Sequence, residues 1–289
     1  MSTLAFILLY GVSYGLLLCI IAIGLVVTMG LMRVVNLAHG AFAAIGGYLA
    51  MGLLTPLGVP FGLAIVLAVV AVAAFSVVIE RLLYVHLYGA SELDQVLLTV
   101  GINFIVVAGL TLAFGPNVLP TRLPPSLAAS VDLGFRSFET YRLLVLGVGV
   151  VVIGALWLVF ERTALGARLR AAVDNRSMTQ AIGIDVPRLF SIAFALGSGL
   201  AALGGALGAP LLPLEPLYPF KYLVLVLVIV ALSGFGNIRA TLLVAVFVGI
   251  VDTAGRYFLP ESGSFTLYVL LIVLIVWRPD GLLARQVRR

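Results

Sequence analysis

Charge is what this sequence has least of. Asp, Glu, Lys and Arg make up 10% of its 289 residues against 63% hydrophobic residues, and the mean hydropathy is +1.23. So few polar side chains cannot cover the surface of a water-soluble domain of this size, which excludes that class and leaves a polytopic membrane protein. Cysteine is nearly absent too. The single Cys19 excludes an intramolecular disulfide and a CxxC metal site, and inside an apolar run it reads as a small packing residue. The two histidines, His39 and His86, fall at the ends of different apolar runs, and there is no HExxH and no cysteine cluster to hold a metal. No GxxxxGK[ST] occurs, so the chain does not hold ATP by that device, and ATP-driven transport would need another subunit. LGSG, residues 196–199, lacks the first glycine of a nucleophile turn and has no histidine in a neighbouring run, which argues against an intramembrane serine hydrolase. The reading is a non-enzyme.

Long apolar runs are what the sequence has instead. They recur at Leu4–Met29, Leu37–Leu54, Phe61–Ile79, Val96–Phe114, Leu143–Phe160, Leu189–Leu212, Tyr222–Leu232, Thr241–Phe258 and Phe265–Trp277. Most approach the roughly 20 residues that cross a hydrocarbon core. The first is too long for a signal peptide's apolar segment and has no basic start, so it reads as a retained span. The predicted fold is all-α: one transmembrane bundle over residues 1–289, with eight or nine spans and a polar loop at 162–188. Tyr222–Leu232 is too short for an ordinary crossing and runs into Ser233-Gly-Phe-Gly-Asn237, which points to a broken or tilted helix. With the N-terminus outside, 12 of the 17 basic residues fall on the cytoplasmic side, which satisfies the positive-inside rule and puts the C-terminus and the polar loop in the cytoplasm. The loop at 115–141 carries Pro116, Pro120, Pro124 and Pro125 and predicts a rigid irregular cap, either a plain connector or a surface for an extracytoplasmic partner.

A few polar residues sit inside the apolar runs, where each needs a reason. Asn36, His39 and Gly40 open the second run, and Asn103 with Thr99 lies in the fourth. They line a translocation route or form a hinge, or they close helix contacts by hydrogen bonds, the reading favoured for His39. Gly197, Gly204 and Gly208, beside Gly199 and Gly205, predict close helix packing rather than a ligand site. Asp252 reads as the most buried carboxylate, with Arg256 one turn on as its partner. Ser233, Asn237 and Asp252 complete the candidate route.

RTALGARLRAAVDNRSMTQAIGIDVPR, residues 162–188, is the longest polar stretch. Leu165, Leu169 and Val173 recur on one helical face, and Asp174 is placed to cap a second short helix that stops at Gly183. The segment is a solvated loop or a docking element for a soluble partner.

The order NLAHGAFAAIGGY, then residues 162–188, then ALSGFGNIRATLLVAVFVGIVDT, then LLIVLIVWRPDGLLA resembles the LivH-type permease of branched-chain amino-acid ABC importers over nearly the whole chain. The resemblance implies a second permease subunit, with a heterodimer expected, two cytoplasmic ATPases that bind ATP and Mg while this chain binds no cofactor, and a periplasmic or extracellular solute-binding protein. Nucleic acid has no place in it, and the location is the inner (plasma) membrane of a bacterium. It further implies that residues 162–188 hold a coupling helix, so that Arg168, Arg170, Asp174, Gly183 and Arg188 dock an ATPase or shape its loop. Ala41 stands where many relatives carry Glu, a departure that bears on solute choice. The rival reading is a secondary transporter or channel acting alone, for which mid-membrane carboxylates are expected and only Asp252 qualifies.

Overall fold

The computed structural model describes residues 2–276 apart from 33, 122, 133–136, 235, 262–264, 266, 267, 270, 271 and 275. The long helices are α1 (Ser2–Met32), α3 (Phe61–Leu82), α4 (Glu92–Phe114), α6 (Thr140–Arg162), α9 (Val186–Gly208) and α11 (Ile238–Phe258), each long and apolar enough to cross a membrane. Two apolar helices are shorter: α2 (His39–Leu54) and α10 (Tyr218–Ser233). These eight coincide with the first eight predicted runs, and much of the ninth, at 265–277, lies outside the described residues.

The chain is helical but not purely so. The loop predicted as an irregular cap instead folds a one-turn helix, α5 (Pro125–Ala128), and a hairpin of β1 (Ser130–Asp132) and β2 (Ser137–Glu139) that pairs Val131 with Phe138. Pro124 and Pro125 start the helical turn because their fixed φ suits a first turn that has no use for their missing N–H. Leu119 makes an isolated bridge to Leu214, which ties this loop to the segment after α9.

Several helix N-termini are closed by the residue that sequence chemistry would place there. Ser91 caps α4 by accepting from the Asp94 N–H, Asp185 caps α9 ahead of Pro187, and Asn237 caps α11. Burial separates the helices by role. The middle of α1 and most of α9 are enclosed, whereas α3, α4 and α6 present residues such as Val70, Ile105, Leu112 and Val151 outward, as a lipid-facing wall does.

Glycine sets how closely the central helices approach. Gly24 of α1 and Gly197 of α9 meet backbone to backbone, and a Cβ on Gly205 would collide with the carbonyl of Ala43 in α2. Gly11 and Gly15 of α1 do the same against Gly249 of α11, a contact the sequence reading did not identify. The contacts pair rising numbers in α9 (197, 204, 208) with falling ones in α1 (24, 21, 17), so the two helices are antiparallel.

A pattern recurs within the chain. A long helix, an irregular segment, a 16-residue helix and another long helix occur as α1–α2–α3 and again as α9–α10–α11. The packing is reciprocal, with α3 on α9 and α11 on α1.

Candidate translocation route and coupling segment

Sixteen residues of α-helix reach about 24 Å, short of the roughly 30 Å hydrocarbon core, so neither α2 nor α10 crosses alone. Their N-termini meet. Gly40 in the first turn of α2 lies against Pro219 in the first turn of α10, so tightly that a Cβ would overlap the Pro219 carbonyl. The depth of this meeting is fixed by α4. Asn103, midway along α4, donates to the Leu37 carbonyl at 2.9 Å, and neighbouring Phe104 stacks on Phe220 with centroids 5.1 Å apart. Two half-helices therefore start at mid-span and run to opposite sides, aiming the positive ends of their dipoles at one another.

The segment from Val34 to Ala38 that leads into α2 is not helical, and unwound backbone at such depth persists only with side chains to satisfy it. They come from α4 and from the 3-10 turn Tyr84–Leu87. Gln95 Oε1 accepts from the Val35 N–H at 2.9 Å, Tyr84 donates to Asn36 Oδ1 at 2.7 Å, and Asn103 holds Leu37. His39 Nε2 is 2.7 Å from the Ile21 carbonyl; a carbonyl only accepts, so the proton is on Nε2 and Nδ1 has no partner among the described residues. Asn36, His39, Gly40 and Asn103 are thus brought together. His39 also comes close to Gly24 and hence to Gly197, nearer to Ser198 than the sequence implied, but Ser198 Oγ and His39 Nδ1 are both unpartnered and form no nucleophile–base pair.

Ser233 and Asn237 lie elsewhere. Where the break was expected, at Ser233–Asn237, Gly234 has φ 77° and Gly236 φ 79°, conformations that glycine adopts without strain. Asn237 caps α11, and Thr241 donates to Ser233 Oγ at 3.2 Å. The irregular stretch that shortens α10 precedes it, at residues 209–217, and α10 itself starts at Tyr218 rather than Tyr222. Lys221, placed outside by the sequence reading, consequently sits in the first turn of a half-helix.

From the side where the chain begins, a cavity of about 740 Å³ opens between α1, α11 and the start of α10. Tyr10, Tyr14, Tyr222, Asp252 and Arg256 line it, with Arg142 and Lys221. Arg256 Nε donates to Asp252 Oδ2 at 2.7 Å, the pairing that the spacing predicted. Tyr222 also borders a gap of only about 10 Å³ against His39, Gly40 and Tyr218. The cavity is wide on one side and closed where the half-helices meet.

Asp252 is not the most deeply buried carboxylate. Glu80, in the last turn of α3, is 1% exposed, and the sequence reading passed over it. Ser191 of α9 donates to its Oε2 at 2.7 Å, and the Tyr88 hydroxyl donates to Oε1. Burial, reinforced by that bond, pushes the Tyr88 phenol above its usual range, which keeps it a donor.

The polar segment folds as α7 (Ala164–Asp174) and α8 (Arg176–Ala181). Leu169 is buried, with Leu165 and Val173 half-buried beside it. α7 runs through Asp174, so the cap of α8 is Asn175, not Asp174: its backbone is extended and its Oδ1 accepts from the Met178 N–H at 2.9 Å. Gly183, at φ 86°, ends the turn after α8. Arg170 reaches back to the Phe160 carbonyl and Gly166 packs under the same residue, which fixes the corner between α6 and α7. Arg188 pairs with Asp185 at 2.9 Å on the surface. Arg168 and Asp174 are exposed and form no hydrogen bond or ion pair among the described residues. Arg176 lies over the rings of Tyr88 and Phe190, at 5.9 and 5.4 Å, joining α8 to the Glu80 cluster. Two residues missed in the sequence stand out: Met178 and Ile182, one turn apart and 62% and 65% exposed.

Six helices long and apolar enough to cross a membrane, two shorter apolar helices whose N-termini meet, and an outward-facing apolar wall define a multi-pass α-helical membrane protein. A family model described as "Branched-chain amino acid transport system / permease component" matches residues 7–277, and the chain belongs to that family. It is 26% identical to the high-affinity branched-chain amino acid transport system permease protein BraD of Pseudomonas aeruginosa, over 95% of this chain and 94% of that one. The LivH permease of Escherichia coli K12 is 24% identical with the same coverage. The LivM permease of Salmonella typhimurium is 26% identical, over 91% of this chain and 67% of its own. No solved structure matches significantly.

Proposed function

We propose that this chain is one of two related permease subunits of an ATP-driven importer for branched-chain amino acids, resident in the inner membrane of a bacterium. Its relatives carry that solute in their names, and the similarity to both LivH and LivM supports a partner of the same family. A solute-binding protein delivers the amino acid, and two ATPase subunits bind ATP and Mg on the cytoplasmic side. The N-terminus is extracytoplasmic and the C-terminus cytoplasmic; the placement of the arginines supports this orientation.

The observation that carries the coupling role is the exposed apolar pair formed by Met178 on α8 and Ile182 at its C-terminal cap, set among arginines and linked through Arg176 to the transmembrane core. Large apolar side chains one turn apart on an exposed helix face fit a cleft in a soluble partner. The test is co-purification of the ATPases with the tagged permease pair. Met178→Ser with Ile182→Ser is expected to reduce ATPase recovery at least tenfold while membrane insertion is unchanged; full recovery would exclude α8 as the docking element.

A further inference from the structure

The cavity between α1 and α11 holds a feature that helix packing does not require. Asp252 has a side chain only 4% exposed; one oxygen is taken by Arg256 Nε, and the other, Oδ1, is covered and has no donor among the described residues. A carboxylate oxygen without a donor in a membrane interior is costly, so a site keeps one only when something else supplies the donor. Arg256 is arranged the opposite way. Its Nε is engaged, while its side chain is 59% exposed at the cavity, leaving the outer guanidinium nitrogens available. An acceptor short of a donor and a donor short of an acceptor therefore stand side by side, one helical turn apart.

That pattern matches one kind of ligand. An α-amino acid carries an ammonium and a carboxylate on the same carbon, and an Asp–Arg pair can take both at once, the ammonium on Asp252 Oδ1 once the side chains covering that oxygen part to admit it, and the carboxylate on the outer guanidinium nitrogens. The rings of Phe6, Tyr10 and Tyr257 offer an apolar wall for an aliphatic side chain, and about 740 Å³ leaves ample room. Anions and amines alone each satisfy only half of the pair.

We propose that Asp252 and Arg256 form a zwitterion-binding site inside the permease itself, at which an aliphatic α-amino acid pauses between release from the binding protein and passage of the gap at Gly40 and Pro219. The choice of an aliphatic amino acid rests on the function proposed above. Selectivity is then exercised twice, once by the binding protein and once in the membrane.

The test is equilibrium binding of radiolabelled L-leucine to the purified permease–ATPase complex without its binding protein. Saturable binding is expected, with isoamylamine and 4-methylpentanoate, which carry only the ammonium or only the carboxylate, each competing at least tenfold more weakly than unlabelled leucine. Asp252→Asn is expected to weaken leucine binding at least tenfold. Should that variant fail to assemble, Arg256→Gln, altered at an exposed side chain, reports the same loss. Absence of saturable binding to the unaltered complex, or unchanged affinity in the variants, overturns the site. Uptake in vesicles separates the two ideas: ATP-driven leucine uptake without binding to the complex removes only the site, and binding without ATP-driven uptake removes only the importer role.

Discussion

Gly40 and Pro219 touch backbone to backbone at mid-span, where the first turns of two half-helices from opposite sides of the bundle face each other. Nothing larger than glycine fits at residue 40, and Pro219 sits in a first turn where its missing N–H costs no hydrogen bond. Both irregular segments, 34–38 and 209–217, end at this contact. On the proposed function, it is the point at which a solute moving in from the cavity meets closed backbone.

Gly205 and Gly40 should therefore be intolerant of even one added carbon. Gly205→Ala and Gly40→Ala are each expected to destabilise the assembled permease by about 1–3 kcal/mol through overpacking. Gly199→Ala is the control, because its Cβ would rest at 3.5 Å from that of Ala73, an ordinary contact. Thermal inactivation in detergent, followed by size-exclusion of the remaining folded protein, ranks the three.

Arg168 and Arg170 are two residues apart but differ in what they hold. Arg170→Ala removes the bond to the Phe160 carbonyl and is expected to lower stability by about 1–3 kcal/mol, the cost of leaving a partly buried acceptor unmade. Arg168→Ala touches no described partner and should leave thermal stability within about 0.5 kcal/mol. ATPase recovery in pull-downs is expected to fall for Arg168→Glu even though its melting curve is unchanged. A melting shift for Arg168→Ala as large as that for Arg170→Ala would contradict these assignments.

Glu80 should behave as the anchor of three elements. Glu80→Ala strands the hydroxyls of Ser191 and Tyr88 and is expected to cost about 1–3 kcal/mol per stranded group, whereas Glu80→Gln keeps two acceptor positions on one oxygen and should cost less. Combining Glu80→Ala with Tyr88→Phe and Ser191→Ala removes the orphans, and recovery of part of the lost stability in the triple variant checks the reading by a non-additive cycle.

Much of this architecture was legible because membrane spans announce themselves by length and apolarity, and because glycine at helical spacing has few uses other than close contact. The glycines of α9 and the Asp252–Arg256 pair were read correctly from spacing alone. What failed did so for local reasons. The shortness of the seventh run was read as a broken or tilted helix beside Ser233–Asn237; the irregular stretch that shortens α10 lies before it, at 209–217, which the sequence reading divided between the end of the sixth run and the connector after it. Glu80 escaped notice because it ends an apolar helix next to Arg81, where a charge is ordinary; only the fold brings Ser191 and Tyr88 to it. The cap of α8 moved one residue, from Asp174 to Asn175, because α7 continues one residue further than its leucine spacing implied. Met178 and Ile182 were invisible as a patch, since exposure is a property of the folded segment and not of the sequence.

The most direct measurement is leucine uptake into proteoliposomes that contain this chain, its partner permease and the two ATPases, with the solute-binding protein outside and ATP inside. Uptake is expected to require all of these, to stop when ATP is replaced by a non-hydrolysable analogue, and to vanish when the ATPases are omitted. Leucine uptake at an undiminished rate by the permease alone, without ATPases or ATP, would contradict the account and make this chain a transporter in its own right.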